Sequence, residues 1–316
     1  MIKKIGVLGL GTMGSGITMA FAINGYDVNA YDIISVEKLQ AAKEAMRPSL
    51  ELFVEEGFMP KENIQATLDR IKVFTDLKKA VEDRDFVIEN VPEKIEIKQN
   101  TFKQLDEYCP EHTILASNTS SLKLNDMMAL VSEKRKSQMM VNHFYNPPHI
   151  MPIVELSYFG NTSEAVYKDV EELYHSIKKQ TVKVLKDVPG LVANRIQQGV
   201  AREAFSIIEQ GIAAPEDVDK ALIFGPAFRY ATTGQLEVAD FGGLDIWCTV
   251  GDNLLKIMDN STGANKLLRD KVAEGKLGLK TGEGFYKYSP ADAPQIQKQF
   301  LKRLIHQLKA SEYYVK

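Results

Sequence analysis

The segment HFYNPPHIMPIVEL, residues 143–156, sets a histidine, His143, at the end of one apolar run and a glutamate, Glu155, inside the next, with a proline-rich turn between them. An imidazole has an ordinary pKa near 6.5 and so accepts and returns a proton at neutral pH; a neighbouring carboxylate orients the ring and stabilises the imidazolium. Such a pair is either a general base with its orienting partner or plain scaffolding. The sequence alone leaves the register of the two runs open.

A second constellation lies near the N-terminus. GLGTMG, residues 9–14, is a G-x-G-x-x-G stretch between an apolar run and a helical pattern. In that setting Gly9 permits a tight turn, Gly11 lets the backbone approach a pyrophosphate, and Gly14 lets helix and strand pack closely, with Thr12 and Met13 opening the helix. Asp32 falls at the end of the next apolar run, 21 residues beyond Gly11. Its carboxylate suits the two hydroxyls of a ribose and repels a 2′-phosphate, so the pattern favours NAD over NADP. The structural alternative is a tight glycine turn followed by a solvated strand end. With a nicotinamide in place, alcohol oxidation is a reaction that needs a base such as His143.

These residues must be positioned by the elements around them. Apolar runs at 2–9, 27–32, 71–74, 85–90, 113–118, 139–144, 153–159 and 181–187 alternate with helical patterns at 12–24, 36–56, 94–108 and 164–179. Strands alternating with helices imply an α/β fold with a doubly wound, mainly parallel sheet. After DVPG (187–190) the pattern turns helical, beginning with LVANRIQQGVAREAFSIIEQG, which Gly211 is placed to cap. We expect domains at 1–187 and 188–316, the second all-helical, with DVPG as a hinge. Further helical stretches are expected near 233–257 and 263–274. The tail IQKQFLKRLIHQLKA reads as a surface helix packing through Phe300, Leu301, Leu304, Ile305 and Leu308.

Composition narrows the function classes. At 316 residues, 44% hydrophobic and 26% charged, with a formal net charge of -3, the chain has no global attraction to nucleic acid or to an anionic membrane. Cys109 and Cys248 lie far apart without metal-ligand spacing, so neither a disulfide framework nor a metal site is expected. The first 22 residues superficially copy a secretory signal, but Gly6, Gly9, Gly11, Gly14 and Gly16 interrupt its apolar core. The expected compartment is the cytoplasm.

The motifs VLGLGTMGSGI, ASNTSSL, HFYNPPHIMPIVEL, GLVANRI, ADFGGLDIW and GLKTGEGFYKY, in this order, resemble the L-3-hydroxyacyl-CoA dehydrogenase family of fatty acid metabolism, from residue 2 to about 288. The resemblance implies a Rossmann-type NAD-binding domain and a helical C-terminal domain that helps close the active site and forms a homodimer. It assigns His143 as the catalytic base and Glu155 as its partner. It carries over Ser120 and Asn194 as groups that hold the reacting oxygen of the substrate, against a helix N-cap and an ordinary helix polar residue as their structural alternatives. On the cofactor side it implies Glu93, Lys98, Asn118 and Lys280; left to themselves, Glu93 and Lys98 read as a solvated first-turn acid and an exposed helix lysine.

The substrate is less clearly written. Where the acyl-CoA enzymes carry a helical hairpin with a serine and lysines for the nucleotide phosphates, residues 48–70 hold Glu51, Glu55, Glu56, Glu62 and Asp69 against Lys61 and Arg70 only. That field is unfavourable to CoA phosphates, although Ser49 matches the family serine. The stretches NPPHIMPIVEL, ENVPEKIEIKQNTF and GPAFRYATTGQLE resemble the free-acid branch, the carnitine dehydrogenases and the L-gulonate 3-dehydrogenases related to lambda-crystallin. SNTSSL, FGGLDIW and KTGEGFYKY resemble the hydroxybutyryl-CoA enzymes. Arg229 is expected to pair with a substrate carboxylate, or else to form a surface or interdomain salt bridge. The expected activity is NAD-dependent oxidation or reduction at the 3-hydroxyl of a short-chain 3-hydroxyacyl substrate. The CoA thioester is the first reading, a free L-3-hydroxy acid the alternative, and a non-catalytic NAD-binding protein the remote one.

Overall fold

The structure, a computed structural model, describes residues 2–312. The chain divides into two compact units, Met1–Val192 and Ala193–Lys316.

The first unit is an eight-stranded sheet covered by helices. Its strands are β1 (Lys4–Leu8), β2 (Asp27–Tyr31), β3 (Ile71–Phe74), β4 (Phe86–Glu89), β5 (Ile114–Ser117), β6 (Met139–Phe144), β7 (Ile153–Ser157) and β8 (Gln180–Val184). Its helices are α1 (Thr12–Ile23), α2 (Val36–Glu44), α3 (Arg47–Glu55), α4 (Asn63–Asp69), α5 (Leu77–Val81), α6 (Ile95–Tyr108), α7 (Leu124–Met127), α8 (Glu133–Lys136) and α9 (Glu164–Ser176). The strand order is β3-β2-β1-β4-β5-β6-β7-β8, parallel throughout except for the antiparallel β6–β7 pair. The order reverses between β1 and β4, the crevice where doubly wound sheets bind ligands at the carboxyl ends of their strands. β4, β5 and β6 are buried along their whole length, which is why they read as unbroken apolar runs rather than as alternating ones.

An aromatic cluster locks the sheet to its helices. The ring of Tyr174 on α9 meets Phe21 of α1 at 6.1 Å, Phe86 of β4 at 6.2 Å and Phe144 of β6 at 5.4 Å between centroids. Such pairs each contribute about 0.5–1.5 kcal/mol beyond their burial. The phenol does not go unpaired, since Asn142 Nδ2 donates to its oxygen at 3.0 Å. The cluster thereby ties the helix that follows the glycine loop to the strand that carries His143.

Three expected helices are shorter or divided. The pattern at 36–56 resolves into α2 and α3, because Pro48 sits in the first turn of α3 and cannot donate a helical hydrogen bond back into α2. The helix expected to reach 179 ends at Ser176, and Lys178 takes φ 61° before β8 begins. The two compact units divide after Val192. Asp187 accepts from Leu124 N at 2.8 Å and Val192 N donates to Glu155 at 2.8 Å, so this segment is bonded to the first unit.

The second unit is helical: α10 (Ala193–Glu209), α11 (Pro215–Phe224), α12 (Pro226–Tyr230), α13 (Gln235–Gly242), α14 (Leu244–Leu254), α15 (Lys266–Ala273) and α16 (Ala293–Ser311). The stretch expected as one helix near 233–257 breaks at Gly243, whose φ of 89° is costly for any residue with a Cβ. In α16, Ile305 is buried as expected, whereas Phe300 is 47% exposed. Cys109 is buried and Cys248 exposed, and both are free thiols. Among the described residues no helix is long and apolar enough to cross a membrane.

Candidate active site

The glycine loop fits a dinucleotide. Gly9 takes φ 82°, and a Cβ on Gly14 would stand 1.7 Å from the Gly9 carbonyl oxygen, so the turn and the first coil of α1 close only with glycine at both positions. A Cβ on Gly11 would meet nothing within 4 Å, which leaves that backbone open to close approach from outside. The N-terminus of α1 carries no side-chain cap and no acid in its first turn, so its amides and partial positive charge are available to phosphates. Asp32 stands where β2 ends. Leu10 N donates to its Oδ2 at 2.8 Å and Ile33 N to its Oδ1 at 2.7 Å, which hold the carboxylate against the glycine loop.

The antiparallel pairing of β6 and β7 settles the question of register. His143 and Glu155 are direct cross-strand partners. The imidazole Nδ1–H donates to Glu155 Oε2 at 2.8 Å, and Glu155 Oε1 accepts from Val192 N at 2.8 Å. Glu155 is fully buried and His143 is 7% exposed. With Nδ1 engaged and its tautomer thereby set, Nε2 is the ring nitrogen left to accept a proton. The Tyr145 ring meets that of His143 edge to face at 5.6 Å. Burial and the charge of Glu155 push the Tyr145 phenol up to about 12, so it stays protonated.

Beside this pair, the ends of β4 and β5 carry a buried polar network. Lys98 Nζ donates to both oxygens of Glu89, at 2.8 and 3.0 Å, and lies 3.3 Å from Glu93. Ser117 Oγ also donates to Glu89, and Thr119 and Ser121 donate to Glu93. The alternative reading of Lys98 as an exposed helix lysine is overturned: Lys98 is 1% exposed, because folding α6 onto β4 brings its ammonium into contact with a carboxylate that would otherwise be buried uncompensated. Desolvation works to raise Glu93, but its hydroxyl donors and Lys98 outweigh it and hold the carboxyl below the usual range. Nothing in the sequence singled out Glu89, whose position predicts only the carboxyl end of a strand.

The remaining expected residues fall as follows. Asn118 closes β5, and its Oδ1 accepts from Phe144 N at 2.8 Å, one residue beyond His143. It braces the strand of the base, a contact no motif announces. Ser120 lies two residues further on and is half-buried; its side chain caps no helix, and its carbonyl accepts from Gly190 N at 3.0 Å. Asn194 belongs to the second unit, on the first turn of α10, as do Arg229 on α12 and Lys280 in a short 3-10 turn at Leu279–Thr281. Arg229 is exposed, and among the described residues of its own unit it makes no ion pair.

Comparison with known proteins agrees with this geometry. The family described as 3-hydroxyacyl-CoA dehydrogenase, NAD binding domain, matches residues 4–188, and its C-terminal domain matches residues 190–288. The chain is 36% identical over 292 residues to a probable 3-hydroxybutyryl-CoA dehydrogenase of Bacillus subtilis, covering 91% of this chain and 98% of the relative. It is 33% identical over 308 residues to the 5-formyl-3-hydroxy-2-methylpyridine 4-carboxylate 5-dehydrogenase of Mesorhizobium japonicum, covering 96% and 97%. A solved structure of an enzyme of that name, described as an NAD+-dependent dismutase, superposes with a TM-score of 0.88 at 31% identity over 99% of each chain. An NAD-binding doubly wound unit, a histidine–glutamate pair fixed by strand register and a match running from residue 4 to 288 lead to one conclusion: this chain is an NAD-dependent oxidoreductase and belongs to the 3-hydroxyacyl-CoA dehydrogenase family.

Proposed function

We propose that the enzyme oxidises a hydroxyl, or reduces the corresponding carbonyl, on a small substrate that carries a free carboxylate, with His143 as the proton-transfer group. The pairing of His143 Nδ1 with Glu155 at 2.8 Å supports the base assignment most directly, because it fixes both the tautomer and the plane of the ring. Bound NAD supplies the hydride acceptor or donor. His143 Nε2 takes the hydroxyl proton as the carbonyl forms and returns it in the reverse direction. Glu155 remains ionised and steadies the imidazolium, and Ser120 and Asn194 hold the reacting oxygen by neutral hydrogen bonds.

The choice of a free acid rests on charge. In the hairpin of α3 and α4, where CoA phosphates would need cations, Glu51, Glu55, Glu62 and Asp69 are exposed and Lys61 is the lone exposed base of the segment 48–70. The likeness to the pyridine carboxylate dehydrogenase runs the length of both chains, past residue 288 where the family's C-terminal domain ends. A second reading, a short-chain 3-hydroxyacyl-CoA substrate, is favoured by the identity to the Bacillus subtilis relative. Initial rates with NADH on acetoacetyl-CoA, acetoacetate, and aromatic aldehyde and hydroxymethyl carboxylates decide between them. A kcat/KM at least tenfold higher for acetoacetyl-CoA than for any free acid would reject the first reading. Retained turnover in His143→Ala would reject the base.

The active unit on this reading is a homodimer. The second unit exposes Phe224, Phe228, Leu236, Phe241, Leu255 and Ile257, far more large apolar surface than an isolated helical domain leaves in water. Sedimentation equilibrium should return twice the mass of the chain, and Phe241→Asp should lower it towards the monomer.

A further inference from the structure

We propose that Lys179 is a positioning residue for the His143–Glu155 pair, acting by fastening the loop that joins their two strands. The inference rests on the assignment of His143 as base and extends it to a residue outside every recognised motif.

β6 and β7 present the histidine and the glutamate to one another, but residues 145–152 join them and set how the two strands meet. Lys179, the residue before β8, sends its amine into that loop, where it donates to Pro148 O at 2.8 Å and Met151 O at 2.7 Å. Beside it, Gln180 N donates to Pro152 O at 2.6 Å. The opposite side of the loop is backed by α1: a Cβ on Gly16 would lie 2.7 Å from Pro148 Cδ. The loop is thus held between the helix that opens the dinucleotide site and the buried Lys179 amine.

What makes this amine informative is its setting. Lys179 is 4% exposed, and both oxygens it reaches are neutral carbonyls. A buried ammonium without a carboxylate is costly, and burial pushes Lys179 down to about 7, where even the neutral amine keeps donors for both carbonyls; an apolar side chain would satisfy the packing at less expense in free energy. The fixed loop is the gain that offsets this cost. The titratable group facing it is His149, on the same loop and edge-on to Phe53. Burial and the nearby ammonium push that imidazole down to about 4, so it adds no second charge near neutrality. Loosening this loop lets the strand ends shift, and a displacement of about 1 Å at a reacting group typically costs about 100-fold in rate.

The test uses the full chain. The downfield imidazole N–H proton of His143, assigned by its loss in His143→Ala, is followed by NMR at neutral pH, alongside NADH affinity by fluorescence titration. Lys179→Met should bind NADH within about threefold of wild type, yet exchange that proton at least about tenfold faster. Its kcat per NADH-binding site, with acetoacetate and acetoacetyl-CoA as probes, should fall about 10- to 100-fold, with KM little changed. Lys179→Arg keeps donors for both carbonyls and should recover much of each loss. Normalising to NADH-binding sites removes any misfolded fraction, and where the methionine variant does not fold, Lys179→Gln against Lys179→Arg carries the same comparison. A substituted protein that binds NADH with the His143 proton and kcat unchanged overturns the inference. So does loss of NADH binding that arginine does not rescue, which would assign Lys179 to general folding. Should His143→Ala keep its kcat, the base assignment has failed, while the proton readout still decides on Lys179.

Discussion

Pro148 lies directly against the backbone of Gly16, its Cδ, Cγ and Cβ at 2.7, 3.0 and 3.3 Å from where a Cβ on that residue would stand. The helix that opens the dinucleotide site and the loop behind the catalytic pair therefore meet with no room for a methyl group, and the obstacle is a rigid ring rather than the end of a flexible chain. Gly16→Ala should destabilise the protein by about 1–3 kcal/mol, read as a lowered denaturant midpoint. It should lower kcat as well, because the atom that must yield belongs to the loop between His143 and Glu155.

Glu155 is fully buried, with one oxygen on His143 and the other on Val192 N. Glu155→Gln keeps the shape but removes the charge, and its amide nitrogen must face either an N–H donor or the imidazole. We expect kcat to fall about 100-fold or more, with NADH affinity within about twofold of wild type. Single-turnover hydride transfer and fluorescence titration measure the two separately.

His149 makes the native state sensitive to acid. Its Nδ1 is buried without a hydrogen-bond partner among the described residues, and its folded-state pKa is depressed from 6.5 to about 4. Between those values the unfolded chain takes up a proton that the native state refuses, so stability falls as pH drops from 6.5 towards 4. The loss is about 2 kcal/mol at pH 5. Urea midpoints of wild type and His149→Phe should diverge across that window, with the phenylalanine variant the less dependent on pH. Parallel curves for the two proteins would show that His149 is not the group involved.

Arg229 is exposed on α12 without an ionic partner among the described residues of its own unit. If it receives a substrate carboxylate, Arg229→Met should raise KM for the best free acid about tenfold or more while leaving kcat within a few-fold, the mark of binding energy lost equally from ground and transition states. An unchanged KM would remove Arg229 from substrate recognition.

Much of the site was legible in the chain because local rules govern it. Glycine spacing at a strand-to-helix junction is dictated by sterics within a few residues, and Asp32 follows from the length of one helix and one strand. Alternating apolar runs and helical periods likewise predict a doubly wound sheet, since burial on both faces leaves its mark along each strand. The two helices over-extended at 36–56 and 233–257 were broken by Pro48 and Gly243, residues visible in the sequence but tolerable in a helix's first turn or at its end. Lys98 was the harder case: its period on α6 gives no sign that the strand beneath ends in Glu89.

The residue types at positions 143 and 155, the glycine loop and the acid that follows it were determined by the sequence, since each is a matter of which atoms are present and how far apart they lie along the chain. Tertiary structure alone decided that His143 and Glu155 stand directly opposite one another, that Asn118 braces the strand of the base, and that Lys179 reaches the loop between the pair. The reason is that strand register and the burial of a charge depend on elements folding back from 12 to 31 residues away, and no local preference encodes which partner arrives.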